Sequence, residues 1–147
     1  MKETELIYRM KRGQGFELFL EKYGGIVLSV VRRMVFNRQV HDDLVQDVFV
    51  KIAVNIADFR GDSKLSTWVY TIAYRHCLDH INRERRDIIR GATDITERDD
   101  IGHNPPDVEE RTDLERGLMR LEEKYRIFVA MKYIDGLSLQ EIADVTD

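Results

Sequence analysis

Residues 42–86 read DDLVQDVFVKIAVNIADFRGDSKLSTWVYTIAYRHCLDHINRERR, and this stretch decides the fold. Its apolar residues recur at three- and four-residue steps, which predicts two amphipathic helices. Arg60, Gly61, Asp62 and Ser63 form the turn between them. In the first helix Leu44, Val45, Val48, Phe49, Ile52, Ala53 and Ile56 make the expected buried stripe. Asp42 or Asp43 is expected to start it, because a carboxylate suits a helix N-terminus. Ser63 or Ser66 is expected to cap the second helix, which should run to about residue 86. Val69, Ile72, Ala73, Cys77 and His80 are its expected core side.

The same periodicity extends outward in both directions. Leu6, Ile7 and Met10 predict a helix over about residues 3–12, and Gly13 and Gly15 punctuate it. Phe16, Phe19, Leu20 and Tyr23 start another. Gly24 and Gly25 should break or bend that helix before Val27, Val30, Val31 and Met34 continue it. Asn37 is the expected stop. Toward the C-terminus, residues 87–112 hold Gly91, Gly102, Pro105, Pro106 and many acids with little apolar periodicity, which reads as a linker. Leu114, Leu118, Leu121, Tyr125, Phe128, Val129 and Met131 resume a helical pattern that Asp135 and Gly136 end. Ser138 and Glu141 have capping-box spacing and predict a further helix. No stretch alternates as a strand would. The expected fold is all-α: a helical bundle over 1–90, an acidic linker over 91–112, and a partial helical unit over 113–147.

Bulk composition agrees. Of 147 residues, 43% are hydrophobic and 34% charged, with only 2 prolines, which suits a helix-rich soluble chain. No apolar run is long enough to span a membrane, and the N-terminus lacks an apolar signal core. The single cysteine, Cys77, cannot form an internal disulfide and fits a reducing cytoplasm. A net charge of -4 argues weakly against nucleic acid, but the distribution argues for it. Arg60, Lys64, Arg75, Arg83, Arg85, Arg86 and Arg90 gather in and after the second helix, and acids gather over residues 94–115.

Two outer faces carry residues that solvent does not require. On the first helix Asp43, Gln46 and Asp47 lie opposite the buried stripe, and Val50 and Val54 lie among them. Valines between carboxylates point to a covered surface, although single exposed apolar residues are also ordinary. On the second helix Thr71, Tyr74, Arg75, Leu78, Asn82 and Arg85 form the outer side, flanked by Trp68 and Tyr70. A ring to stack on, an amide to read edges and cations for phosphates suit unpaired bases. Trp68 and Tyr70 packing in the core, with arginines answering the helix dipole, is the competing account.

The segments DDLVQDVFVKI, FRGDSKLSTWVYTIA and YIDGLSLQEIADV together resemble the extracytoplasmic-function (group IV) class of bacterial sigma factors. The first two resemble conserved region 2 in order and spacing, and the third resembles the start of region 4. The resemblance covers nearly the whole chain from about Phe16. It implies that Asp43, Gln46, Asp47, Val50 and Val54 dock on the clamp of the largest subunit of core RNA polymerase. It implies that the turn and the following helix recognise and melt the minus-ten promoter element. A base of the non-template strand would enter a pocket made by Arg60, Gly61, Asp62, Ser63, Lys64 and Ser66. Trp68, Thr71, Tyr74, Arg75, Leu78, Asn82 and Arg85 would meet the remaining DNA. The resemblance also implies an anti-sigma factor that covers these surfaces. Region 4 of the family reads the minus-thirty-five element with the second helix of a helix-turn-helix. The quoted chain reaches only the first, which is the expectation for a truncated form.

Enzymatic constellations are weak by comparison. His76 and His80 have the i, i+4 spacing of a zinc pair, but Cys77 stands where a metalloprotease base would follow, and no third ligand is apparent. His41 and Asp42 fit a helix start better than a metal dyad. No catalytic residue, cofactor or metal site is expected. Two other classes compete with the polymerase subunit. A stand-alone helix-turn-helix regulator has no use for the Asp47 and Val50 face. A sigma-like interaction module has no use for the aromatic and basic one.

Overall fold

Every described element is helical in the computed structural model, which describes residues 2–91, 113, 117, 120 and 122–146. The helices are α1 (Glu3–Lys11), α2 (Phe16–Met34), α3 (His41–Asn55), α4 (Leu65–Arg90), α5 (Glu123–Val129) and α6 (Leu139–Thr146). Short 3-10 turns, Arg38–Val40 and Ile56–Asp58, flank α3, and α5 runs on into a π-helical turn, Ala130–Ile134. Most of the expected linker, residues 92–112, lies outside the described residues, as do Leu114, Leu118 and Leu121 of the expected C-terminal stripe.

The core forms where α2, α3 and α4 meet. Phe19, Val27, Val30 and Val31 come from α2, Val48 and Ile52 from α3, and Leu65, Val69, Ala73 and Cys77 from α4, all fully buried. Burying each branched or aromatic side chain contributes about 1.5–3 kcal/mol. Summed over these positions, that outweighs the local cost of poor helix formers.

Gly24 and Gly25 illustrate the point. α2 runs through both without a break. A glycine in a helix interior costs about 1 kcal/mol relative to alanine, too little to interrupt a helix whose flanking turns are packed. Gly24 is buried, and a Cβ there would stand 3.7 Å from Cζ of Phe49. A Cβ on Gly25 would meet nothing within 4 Å. Gly25→Ala is therefore expected to stabilise the protein by about 0.5–1 kcal/mol, read as a raised melting temperature. A lowered one would mean that the helix needs its local flexibility.

The termini of the helices differ from the expected ones in four places, the first being α3, which starts at His41 behind Val40 with Asp42 and Asp43 inside its first turn. α2 ends at Met34, and the Asn37 side chain instead accepts a 3.1 Å bond from the Gln39 N–H, capping the next turn. Neither Ser63 nor Ser66 caps α4: Lys64 holds the cap position without a side-chain bond. The Leu65 N–H instead donates to Glu3 Oε1 at 3.0 Å, a contact from α1 that no local pattern encodes. α4 also runs to Arg90, a turn beyond the expected end. Ala53, expected in the buried stripe of α3, is exposed, with Val45 and Phe49 only half-buried at the edges of that stripe.

The expected box at α6 is present in full. The Glu141 N–H donates to Ser138 Oγ at 3.1 Å, and the Ser138 N–H donates back to Glu141 Oε1 at 3.3 Å. Those bonds hold the Glu141 carboxyl below its usual range.

α5 and α6 pack on α2 and α4, and Ile127, Met131, Leu137, Ile142 and Val145 join the same hydrophobic cluster as the N-terminal helices. Polar contacts of Arg126 and Asp135 fix this docking. Arg126 is buried and donates from Nη2 to the Met34 carbonyl at 3.1 Å and from Nε to the Arg33 carbonyl. Its guanidinium lies 4.2 Å from the centre of the Phe36 ring. Arg126 therefore satisfies the last carbonyls of α2, where the helix dipole favours a cation. Asp135 accepts from Arg33 Nη1 at 2.7 Å and from the Tyr70 hydroxyl. Burial, then the bond to Asp135, pushes the Tyr70 phenol far above its ordinary range, so it stays a donor.

Candidate protein and nucleic-acid interface

The phase of α3 is set by Leu44, Val48 and Ile52, which point into the core. The opposite side follows from 3.6 residues per turn. Asp43, Gln46, Asp47, Val50 and Val54 all lie there and are exposed, so the five residues form one continuous stripe. Val50 and Val54 are 61% and 69% accessible, which leaves two branched apolar side chains in water beside two carboxylates.

Asp47 also reaches toward α4: its Oδ2 lies 3.5 Å from Nε2 of the buried His76. Burial, with Lys51 nearby, lowers the His76 pKa more than Asp47 raises it, so the ring is held neutral. His80 lies beside Glu84 at 3.3 Å. Among the described residues no group of three His, Cys, Asp or Glu side chains could hold a metal.

The turn between α3 and α4 is held at its base and open at its tip. Phe59 is buried, with its ring 5.1 Å from that of the half-buried Trp68, and Leu65 is fully buried. Between them Arg60, Gly61, Asp62 and Lys64 are exposed and Ser63 is half-buried, as is Ser66 just inside the helix. Gly61 sits at φ +81°, a left-handed conformation that a side chain would strain.

On α4 the outer stripe runs Lys64, Trp68, Thr71, Arg75, Leu78, Asn82 and Arg85, at steps of four and three residues. Lys64, Arg75, Asn82 and Arg85 are exposed, and Trp68, Thr71 and Leu78 are half-buried along its edge. The Thr71 hydroxyl is turned back to the Thr67 carbonyl at 2.9 Å. Tyr74 is the exception. It was expected on this face, and it is only 9% accessible within the hydrophobic cluster. The reason is that α4 packs against α2, α3 and α6, so its covered arc is wider than a single-sided helix would have. Tyr70, one turn earlier, is buried in the same way and does not flank the open face.

One contact across the C-terminal docking touches this region. Thr67 Oγ1 donates to Glu141 Oε2 at 3.3 Å, and Lys64 Nζ stands 4.0 Å from the same oxygen. A carboxylate thus sits against a cation at the base of the turn. Glu3, Lys11 and Glu141 all meet the turn or its first helical residues, and sequence periodicity marks none of them. The only available signal was the capping-box spacing of Glu141, which points to its own helix.

Comparison with known proteins identifies the family and the fold. The Sigma-70 region 2 family matches residues 19–87, which span most of α2 through α4. The ECF RNA polymerase sigma factor SigW of Bacillus subtilis (strain 168) is 29% identical to this chain, over 95% of this chain and 82% of SigW. The ECF RNA polymerase sigma-E factor of Escherichia coli (strain K12) is 30% identical, over 97% of this chain and 81% of that protein. The fold is similar to that of CnrH, solved in complex with the cytosolic domain of CnrY. The TM-score is 0.66 at 20% identity, covering 97% of this chain and 81% of CnrH.

Proposed function

This chain belongs to the extracytoplasmic-function (group IV) family of sigma factors, which are non-catalytic transcription regulators, and we propose that it directs core RNA polymerase to promoters by docking through α3 and melting the minus-ten element through α4 and its preceding turn. Two adjacent stripes support this reading, one apolar and acidic on α3 and one basic, with Asn82 and the edge of Trp68, on α4. Asp43, Gln46, Asp47, Val50 and Val54 take the clamp of the largest polymerase subunit. Arg60, Gly61, Asp62, Ser63, Lys64 and Ser66 receive one extruded base of the non-template strand. Trp68, Thr71, Arg75, Leu78, Asn82 and Arg85 follow the remaining strand. Residues 1–90 act as region 2, 91–112 as an acidic tether and 113–147 as part of region 4.

The energetics suit a division of labour. Extruding a base costs a few kcal/mol. Each stacked base returns about 1–3 kcal/mol, and phosphate contacts add a salt-dependent contribution. The arginines of α4 can supply the second but not the whole, so polymerase binding through α3 has to supply the remainder. Tyr74 is not part of the DNA surface in this proposal: it packs inside, so it supports α4 instead.

CnrH is solved with the cytosolic domain of CnrY. By extension, a protein of the anti-sigma type holds this chain inactive by covering the same two stripes. An apolar face that is buried by polymerase in one state is then buried by the inhibitor in the other.

Run-off transcription with core polymerase on a promoter library tests the reading. Adding this chain is expected to select a defined promoter set. Arg75→Ala with Asn82→Ala should spare core binding and lower open-complex formation about tenfold, about 1.4 kcal/mol. Undiminished melting by that variant would remove α4 from promoter opening. Tyr74→Ala is expected to act differently, costing about 3–5 kcal/mol of stability as a large-to-small core change.

A further inference from the structure

α1 touches the base of the turn at both ends. Lys11 Nζ donates to the Phe59 carbonyl at 2.7 Å, where the chain leaves the 3-10 turn after α3. Glu3 Oε1 accepts from the Leu65 N–H at 3.0 Å, where α4 begins. Glu3 and Lys11 are the first and last residues of α1, so the two contacts are set about 12 Å apart by a rise of 1.5 Å per residue. Leu6 and Met10, on the neighbouring face, are buried in the core and fix the helix against the bundle.

The chemistry of both contacts is suited to holding backbone. The first N–H groups of a helix have no partner within it, and Lys64 at the cap position supplies none for α4. A carboxylate placed there by α1 satisfies one of them and meets the positive end of the dipole. An ammonium on the Phe59 carbonyl does the converse where the preceding turn ends. Between the two anchored ends the tip from Arg60 to Lys64 makes few contacts of its own, the Ser63 hydroxyl reaching only the Lys64 carbonyl at 3.3 Å.

We propose that α1 is a brace whose Glu3 and Lys11 act as positioning residues for the base-binding turn, holding residues 59 and 65 at a fixed separation so that the exposed tip is preorganised for one extruded base. The proposal rests on the reading of that turn as a base pocket. A pocket that must be formed on binding would spend part of its interaction energy on ordering the turn, and would discriminate less sharply between bases. The brace removes that cost and makes base selectivity depend on a helix that touches no DNA.

The test combines a measurement on the free chain with one on the polymerase complex. In Glu3→Ala/Lys11→Met, tryptic cleavage at the Arg60–Gly61 and Lys64–Leu65 bonds, followed site by site by mass spectrometry, is expected to quicken about tenfold as the turn opens locally. With core polymerase the same variant should bind core as before. Its preference among the four bases at the extruded position, read on single-stranded minus-ten oligonucleotides, should fall at least about fivefold. Lys11→Met alone is the milder variant should the double variant melt too low, and Lys11→Arg, which keeps a donor, should restore both readouts. Unchanged cleavage would overturn the brace. Faster cleavage with undiminished base preference would overturn its part in selectivity. Asp62→Ala and Ser63→Ala separate the two failures: if neither alters base preference, the reading of the turn as a pocket is what fails.

Discussion

Asp47→Arg is expected to abolish binding to core RNA polymerase while leaving the fold intact. The side chain is exposed, one turn after Asp43 and one turn before Val50, at the middle of the α3 stripe. In the proposed docking mode, reversing its charge places a cation where the polymerase would meet an anion. Like-charge juxtaposition in an interface costs several kcal/mol. A loss of at least about 100-fold in affinity, about 2.7 kcal/mol, is the expected result. Folding should tolerate the change. The contact of Asp47 with His76 is 3.5 Å long and joins it to a ring that burial already keeps neutral. The decisive measurement is competition against a labelled reference sigma factor for core polymerase, with a thermal melt on the same sample. Binding within about threefold of the parent chain, alongside an unchanged melt, would remove α3 from the polymerase interface.

Arg126→Ala should have the largest effect on the architecture. Its guanidinium closes the C-terminal end of α2 through two backbone carbonyls and stacks on Phe36, while being only 2% accessible. Removing the guanidinium leaves two backbone acceptors without their partner, at about 1–3 kcal/mol each. The groups left behind are carbonyls, which can regain partners only by meeting water. The least costly way to let water in is to undock α5 and α6. Amide exchange over residues 126–146 is therefore expected to accelerate strongly, while protection in α2, α3 and α4 persists. Arg126→Lys keeps the charge but loses the planar fork, and should fall between the two. Equal protection of residues 126–146 in Arg126→Ala and the parent chain would mean that apolar packing by Ile142 and Val145 suffices.

The undocked form bears on function. Glu141 touches Thr67 and stands near Lys64, at the base of the proposed pocket. A salt bridge as exposed as that of Lys64 contributes at most about 1 kcal/mol. The docking of α6 therefore rests on the buried Arg126, the contacts of Asp135 with Arg33 and Tyr70, and the apolar cluster, and not on the pair between Lys64 and Glu141.

Much of the fold was legible from residue spacing. The stripes of α2, α3 and α4, the turn at Gly61 and the Ser138–Glu141 box all depend on residues within one or two helical turns of each other. At that range sequence distance and spatial distance are the same thing. The α3 face was legible for the same reason, because one buried stripe leaves the opposite side defined. Tyr74 was misread because a helical wheel supposes one covered side, and α4 has neighbours on several. The two anchors of the turn were invisible because 48 and 62 residues separate Lys11 from Phe59 and Glu3 from Leu65.

By itself, the sequence determined which segments are helical, where α6 is capped and which side of α3 faces outward, since each follows from the periodicity of one helix. Only the tertiary structure decided that Tyr74 points inward, that Arg126 closes α2 and that α1 holds the turn. Those outcomes depend on which distant helix arrives to cover a side chain or satisfy a backbone group, and hydrophobic phase within a single helix carries no record of its neighbour.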